Sequence, residues 1–255
     1  MRIQPHITAS LAGFMISIIQ TSGVMAAEIK VLSTHAALEV LSELGPQFES
    51  ATGHKLSFSY DPANIIKRQI ENGAAFDVAI VTRRAIDDLV KSGKIFPDTC
   101  VDIAGSGLGV AVRKGAPKPD IGTVESFKQA MLAAKSVIRS TDGTSGLYFE
   151  KVLDRLGIAE QMKGKIRLGP SGRVAEFVAS GEVEIAVQQV SELLPVIGAE
   201  FVGPFPPALQ LVTIFSAGVS ASSREPKAAK AFIDFLAAPT AASVIKAKGL
   251  QPILN

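Results

Sequence analysis

The stretch from Gly53 to Thr82, GHKLSFSYDPANIIKRQIENGAAFDVAIVT, constrains the fold more than any other part of the chain. Lys55 to Tyr60 alternates like a strand. Asp61-Pro62 offers an N-cap followed by proline at the first helical position. Ile65, Ile66 and Ile70 then recur at helical spacing, Asn72-Gly73 stops the helix, and Val78 to Val81 is a short apolar strand of the buried type. A strand–helix–strand unit of this kind aims a helix N-terminus, with free N–H groups and the positive end of its dipole, beyond the strand ends. That geometry suits a small anion.

The first 27 residues carry the marks of a secretory leader: Arg2, an apolar run from Ile7 to Ile19, and a small-residue cleavage site at Val24-Met25-Ala26. The apolar run falls short of the ~20 residues of a membrane span; an uncleaved anchor is the alternative. Cleavage near residue 26 predicts a periplasmic protein. The whole chain has 26 Lys and Arg against 24 Asp and Glu, a balance that argues against a nucleic-acid partner. Cys100 is the one cysteine, so no internal disulfide forms, and its place after Pro97-Asp98-Thr99 reads as a passive small hydrophobe. Past the leader only His35 and His54 remain, too few for a multi-histidine metal site, and no cofactor motif is present. The GSGLG at Gly105–Gly109 precedes a strand, which is the wrong context for a dinucleotide loop.

Strands and helices alternate along the rest of the chain. Ile29–Leu32 leads through Ser33-Thr34-His35 into a helix that Gly45-Pro46 is expected to bend or break. A helix over about Ala85–Ser92 follows the Gly53–Thr82 unit, then a strand at Gly107–Val112 and a Pro/Gly-rich stretch, Lys114–Gly122, that reads as a crossover. A second set comes next: helix Val124–Ala134, strand Ser136–Arg139, a polar turn to Gly146, a helix to Gly157, strand Ile166–Leu168, helix Ser171–Ser180, and strand Ile185–Val187 ending in Gln188-Gln189. GPFPP at Gly203–Pro207 reads as a return crossover, before a strand over Leu211–Val219 and two closing helices. The expected class is α/β, with two lobes of mainly parallel sheet flanked by helices and joined by a two-strand hinge. Residues 28–113 with 203–255 form the first lobe in this reading, and residues 114–202 the second. Ligands in such sheets sit beyond the carboxyl ends of the strands, at switch points.

Four blocks carry a resemblance: RQIENGAAFDV (Arg68–Val78), GTSGLYFEKVLDRLG (Gly143–Gly157), SGEVEIAV (Ser180–Val187) and PKAAKAFIDFLAAPTAASVIKAKGL (Pro226–Leu250). Through them the chain resembles the periplasmic molybdate-binding-protein-like family, among the type II solute-binding proteins of ABC transporters, from about Ile29 to Leu254. The resemblance implies a two-lobed type II periplasmic-binding-protein fold, a monomer, a small anionic ligand in the inter-lobe cleft, and an ABC importer permease as partner. It also implies where the chain departs. Ser33 matches the family's first serine, but Asp61-Pro62-Ala63-Asn64 stands where a hydroxyl-bearing turn is usual. Gln189 takes the place of a tyrosine, and Arg83 replaces an acid. Two of the three side-chain donors for molybdate are thus missing, which favours a small carboxylate or another oxyanion. The same family includes exported aconitate isomerases, so an isomerase on this fold is the alternative to a transport receptor, and a ligand-sensing role is a third reading.

The candidate ligand-binding residues follow from the junctions. Ser33, Thr34 and His35 end a strand and open a helix; His35, with a reference pKa near 6.5, is the proton-transfer candidate if the protein is an isomerase. Asn64 offers an amide. Thr144, Ser145 and Gly146 open another helix. Gln189 inherits the tyrosine position, while strand alternation lets only one of Gln188 and Gln189 face the cleft. Arg173 ranks first among the arginines, ahead of Arg83, Arg84 and Arg139, as a bidentate partner for a carboxylate. Asp142 reads as a turn cap.

Overall fold

The computed structural model describes residues 26–253, so the expected leader falls almost entirely outside the described residues. From the N-terminal side the elements run β1 (Glu28–Ser33), α1 (Leu38–Thr52), β2 (Lys55–Tyr60), α2 (Ala63–Glu71), β3 (Val78–Thr82), α3 (Arg83–Lys91) and β4 (Val101–Ser106). The middle of the chain supplies β5 (Leu108–Arg113), α4 (Val124–Ala133), β6 (Val137–Ser140), α5 (Thr144–Arg155), α6 (Ala159–Met162), β7 (Ile166–Gly169), α7 (Val174–Ser180), β8 (Ile185–Gln189), α8 (Val190–Leu193) and β9 (Ala199–Pro204). The return consists of β10 (Thr213–Val219), α9 (Pro226–Ala237), α10 (Ala242–Ala247) and β11 (Gln251–Pro252).

Two sheets result, ordered β11-β4-β10-β3-β1-β2 and β7-β6-β8-β5-β9. Strands β2, β1 and β3 pair in parallel, and β10 runs against both β3 and β4, so β4 points the same way as the first three. In the second sheet β7, β6 and β8 are parallel, and β5 runs against β8 and β9. Each sheet is thus mainly parallel, with one reversed strand inside it where the chain changes lobe, and the first carries a second reversed strand, β11, at its edge.

The strands are apolar because both faces are covered. Val78 and Ile80 of β3 pack towards α1 and α9 with Phe48 and Phe232, while Ala79 and Val81 pack towards α2 and α3 with Ile66, Ile70 and Leu89. Phe48 and Phe232 meet at 5.0 Å between ring centroids. The second sheet repeats the scheme: Val110 and Val187 face the Phe127–Phe149–Phe205 cluster, while Ala111 and Ala186 face Val174 and Val178. Burying each such aliphatic or aromatic side chain is worth about 1.5–3 kcal/mol.

Three expectations need correction. Strand β5 pairs with β8 and β9, so Leu108–Arg113 belongs to the second sheet, and the chain crosses at Gly107 instead of over Lys114–Gly122. The return passes between Pro204 and Thr213, through a 3-10 turn at Pro207–Leu209. Helix α1 continues through Pro46. The missing hydrogen bond there is offset by the buried face of Leu41, Leu44 and Phe48, and Gly45 lets the Phe58 ring approach to 3.3 Å of where a Cβ would stand. Pro62, not Asp61, is the N-cap of α2, and the Asp61 carboxylate accepts a hydrogen bond from Gln69 Nε2 at 2.9 Å.

The start of α5 is pressed against the end of β6. A Cβ on Gly146 would lie 2.1 Å from the Ser140 carbonyl oxygen, a backbone atom that cannot move aside. Gly146→Ala is expected to cost about 1–3 kcal/mol and to lower the thermal midpoint by several degrees. Gly164→Ala, where a Cβ meets nothing within 4 Å, is the control. Equal melting of the two variants would refute the close approach.

Candidate functional site

The residues that follow the ends of β1 and β2 in the first sheet and of β6, β7 and β8 in the second enclose a tight cavity of about 30 Å³. Thr34, His35, Pro62 and Ala63 come from the first lobe and Ser140, Gly143, Thr144, Ser145, Ser171, Gln188 and Glu192 from the second, with Phe215 of β10 at the base. The first turn of α5 carries amides with no intrahelical acceptor, and Thr144 and Ser145 of that turn line the cavity. Their dipole end favours negative charge.

Polar groups in this lining are left without partners. Thr34 Oγ1, His35 Nδ1, Ser140 Oγ and both amide atoms of Gln188 are buried and make no hydrogen bond. Each such group costs about 1–3 kcal/mol when it stays unsatisfied. Their convergence in one cavity marks a binding site prepared for a polar ligand. Among the described residues, lysine and arginine are absent from its lining.

Two titratable groups face this space. Burial pushes the His35 imidazole below its usual value, with Asp61 and Asp142 opposing, so the ring is neutral near pH 7. Tyr60 lies 6.1 Å from it between ring centroids, and its phenol is pushed up to about 12, chiefly by burial. Burial also pushes the Glu192 carboxyl up to about 7, against the opposing pull of the nearby Gln188 side chain and Gln189 backbone amide. Helix α8, which carries Glu192, packs against the 3-10 turn His35–Ala37, and Glu192 and His35 both line the cavity, one from each lobe. Gly172, with φ +82°, lies over the imidazole so closely that a Cβ would fall 2.5 Å from His35 Cδ2. Beside it the Ser171 hydroxyl donates to Asp142 Oδ1 at 2.9 Å, which places Asp142 in the turn-capping role expected of it.

Of the residues singled out in the sequence, Thr34, His35, Thr144, Ser145 and Gln189 line the cavity. Ser33 is fully buried outside the lining, and its hydroxyl donates to the Thr34 carbonyl at 3.2 Å. Asn64 is exposed on α2, and Gly146 serves the packing against Ser140. Arg173 is paired with Glu176 at 2.7 Å, with 64% of its side chain exposed, and is not part of the cavity lining. Arg139 donates to the Ser140 carbonyl at 2.7 Å and pairs with Glu150. Both Gln188 and Gln189 reach the cavity, against the alternation rule, because Gln189 already has the φ of −57° and ψ of 139° of the α8 N-cap. The Gln189 amide is satisfied at both ends when Nε2 donates to the Ser106 and Gly107 carbonyls, at 3.0 and 3.1 Å, and Oε1 accepts from Thr213 Oγ1 at 3.1 Å. It therefore ties the two crossovers together.

Glu192, Ser140 and Ser171 were not legible as site residues, whereas strand alternation already offered Gln188 as the alternative to Gln189. Glu192 sits in VSELL, a one-turn helix too short to show periodicity. Its one signal is position, three residues past a strand-end glutamine.

Residues 29–251 match the family model described as bacterial extracellular solute-binding protein. The chain belongs to that family. It is 36% identical over 231 residues to a Pseudomonas protein named aconitate isomerase, covering 88% of each chain. It is 30% identical over 240 residues to the molybdate-binding protein ModA of Azotobacter vinelandii, covering 88% of this chain and 90% of that one. In three dimensions it superposes on the Azotobacter vinelandii periplasmic molybdate-binding protein with a TM-score of 0.75 at 23% identity, over 89% of this chain and 99% of that one. The two-lobed fold of type II solute-binding proteins is therefore shared.

The raised carboxyl of Glu192 gives a stability signature. Its value is about 7 in the folded protein against 4.5 for an ordinary glutamate, so between these the native state holds the extra proton. Its contribution is full below about pH 4.5 and is lost as pH rises through about 7. Glu192→Gln is expected to remove this slope in denaturant melts at about pH 5 and about pH 8. A wild-type-minus-variant difference that is the same at both pH values would rule the assignment out.

Proposed function

We propose that the cleft binds a small polycarboxylate and shifts a proton along it, as an exported isomerase of the aconitate type. The observation that carries this reading is the presence of Glu192, titrating near neutrality, and a neutral His35 in the lining of one cavity. The 36% identity to a protein named aconitate isomerase supports it. So does the missing hydroxyl turn at Asp61–Asn64, which leaves the first lobe without a usual donor for a tetrahedral oxyanion.

The chemistry needs only an acid–base group and a place for spread negative charge. Ionised Glu192 removes a proton from the methylene carbon next to a carboxyl-bearing double bond. The electron pair moves into the allylic system, and the same proton, now on Glu192, returns to the far carbon of the former double bond. No electrons leave and no co-reactant enters. A group with a pKa near the working pH is best placed to act in both directions. The unpaired hydroxyls of Thr34 and Ser140, the Gln188 amide and the α5 amides hold the carboxylates and the charge that develops on them. His35 stays a neutral donor, so His35→Ala is expected to raise KM more than it lowers kcat.

The second reading is a ligand receptor that delivers a small anion to a membrane permease from the periplasm, favoured by the 30% identity to a protein named molybdate-binding. One experiment separates the two. Purified protein is incubated with cis- or trans-aconitate and the isomer ratio is followed by chromatography. Interconversion is expected, lowered about 10²- to 10⁴-fold in kcat by Glu192→Gln with binding retained. A thermal shift with an untouched isomer ratio would sink the isomerase reading and leave the receptor; stabilisation by molybdate alone would sink both the enzyme and the carboxylate.

A further inference from the structure

A second opening lies on the outer side of the same lobe boundary. Thr82, Arg83 and Arg84 from the start of α3, Thr144, Leu147, Tyr148 and Lys151 from α5, and Leu211, Thr213 and Ile214 of the returning segment border a solvent-open groove of about 550 Å³. The α5 residues stand at helical spacing along one face, so the groove runs along that helix from Lys151 to Thr144. Thr144 borders both the groove and the inner cavity, so the two spaces adjoin at the first turn of α5.

The charge of this groove differs from that of the inner cavity. Arg83 is already committed, at 3.0 Å to Asp87 and 2.8 Å to Asp102. Arg84 and Lys151 are exposed and belong to no ion pair among the described residues. They face the groove from opposite lobes, and its lining contains no acid. Two uncompensated cations beside a low-dielectric wall of Leu147, Leu211 and Ile214 concentrate anions. The inner cavity, by contrast, binds through neutral donors and has no fixed cation to attract a charged molecule from a distance.

We propose that this groove is an outer anion site, in which a small polycarboxylate is held between Arg84 of the first lobe and Lys151 of the second before it passes Thr144 into the cavity. A multivalent anion fits the site better than a monovalent one, because the two cations stand on separate lobes and each takes one charged group. Bridging them also favours the closed arrangement of the lobes. The proposal rests on the anionic-ligand reading above only for what happens after Thr144; the outer site stands on its own charges.

The test titrates the isotope-labelled protein with citrate, at low and at raised salt, and follows backbone amide resonances. Amides of Thr82–Ala85 and Leu147–Lys151 are expected to shift, the shifts are expected to weaken as salt rises, and Arg84→Gln with Lys151→Gln is expected to abolish them. In stopped-flow mixing the double variant is expected to associate about three- to tenfold more slowly, a loss in the range of electrostatic steering. Absence of shifts at these amides, or shifts that survive the double substitution, would overturn the outer site whether or not the inner cavity responds. Outer shifts with a silent inner cavity would instead uphold this site and count against the polycarboxylate reading of the cleft.

Discussion

The relation between the two lobes rests on two glutamine amides at the hinge. Gln210 accepts from the Leu108 N–H at 2.7 Å and donates to the Leu108 carbonyl at 2.9 Å, so it serves both polar groups of the residue where the chain enters the second lobe. Gln189 joins the Ser106 and Gly107 carbonyls to Thr213, where the chain comes back. Backbone at a crossover leaves the ladder of one sheet before it enters the other, and its buried polar groups need other partners. The side-chain amides supply them and fix how the two sets of strand ends confront each other. The cavity, its unpaired hydroxyls and the contact of α8 with the His35 turn all follow from that confrontation.

The cavity reverses the usual economy of a protein interior. Among the described residues, most buried side-chain polar atoms without partners are gathered here, on Thr34, His35, Ser140 and Gln188; Arg139 Nε and Ser191 Oγ are the others. A ligand that satisfies them recovers their desolvation penalties, and specificity comes from the pattern it must match. Neutral donors suit a ligand whose charge moves during reaction, because they stabilise charge in several places without fixing it at one. Glu192 adds the one group that changes charge near neutrality. Ionised, it repels a bound carboxylate; protonated, it can donate to one. Ligand binding and proton uptake are therefore coupled at this residue.

Much of the architecture was legible because it is written in local periodicity. The β2–α2–β3 unit, the strand–helix pairs of the second lobe and the closing helices lie close to where the apolar spacing puts them, and the strand-end junctions do gather at one cleft. What was not legible depends on contacts between distant segments. Pro46 stays helical because the apolar face of α1 outweighs one lost hydrogen bond. The crossing falls at Gly107 because β5 finds its neighbours in β8 and β9, a pairing that no local pattern announces. Arg173 was attractive as a cation at a helix start, yet Glu176, one turn on, claims it. Glu192 is ordinary in its own sequence and acquires its character from the burial that the facing lobe completes.

The approach of Gly172 to His35 has a kinetic consequence. A cavity sealed by side chains opens when a rotamer flips, on a scale of picoseconds to nanoseconds; one sealed by main chain opens when whole elements separate, in microseconds to milliseconds. Where Gly172 lies against the His35 ring the atoms it brings are backbone, set on a glycine whose missing Cβ is what allows the contact. Ligand exchange then inherits the tempo of the hinge. Molecules that differ widely in how well they satisfy the cavity would still share an entry step paced by the same opening. Turnover by the closed cleft would be capped by that step, whatever the proton transfer itself could reach.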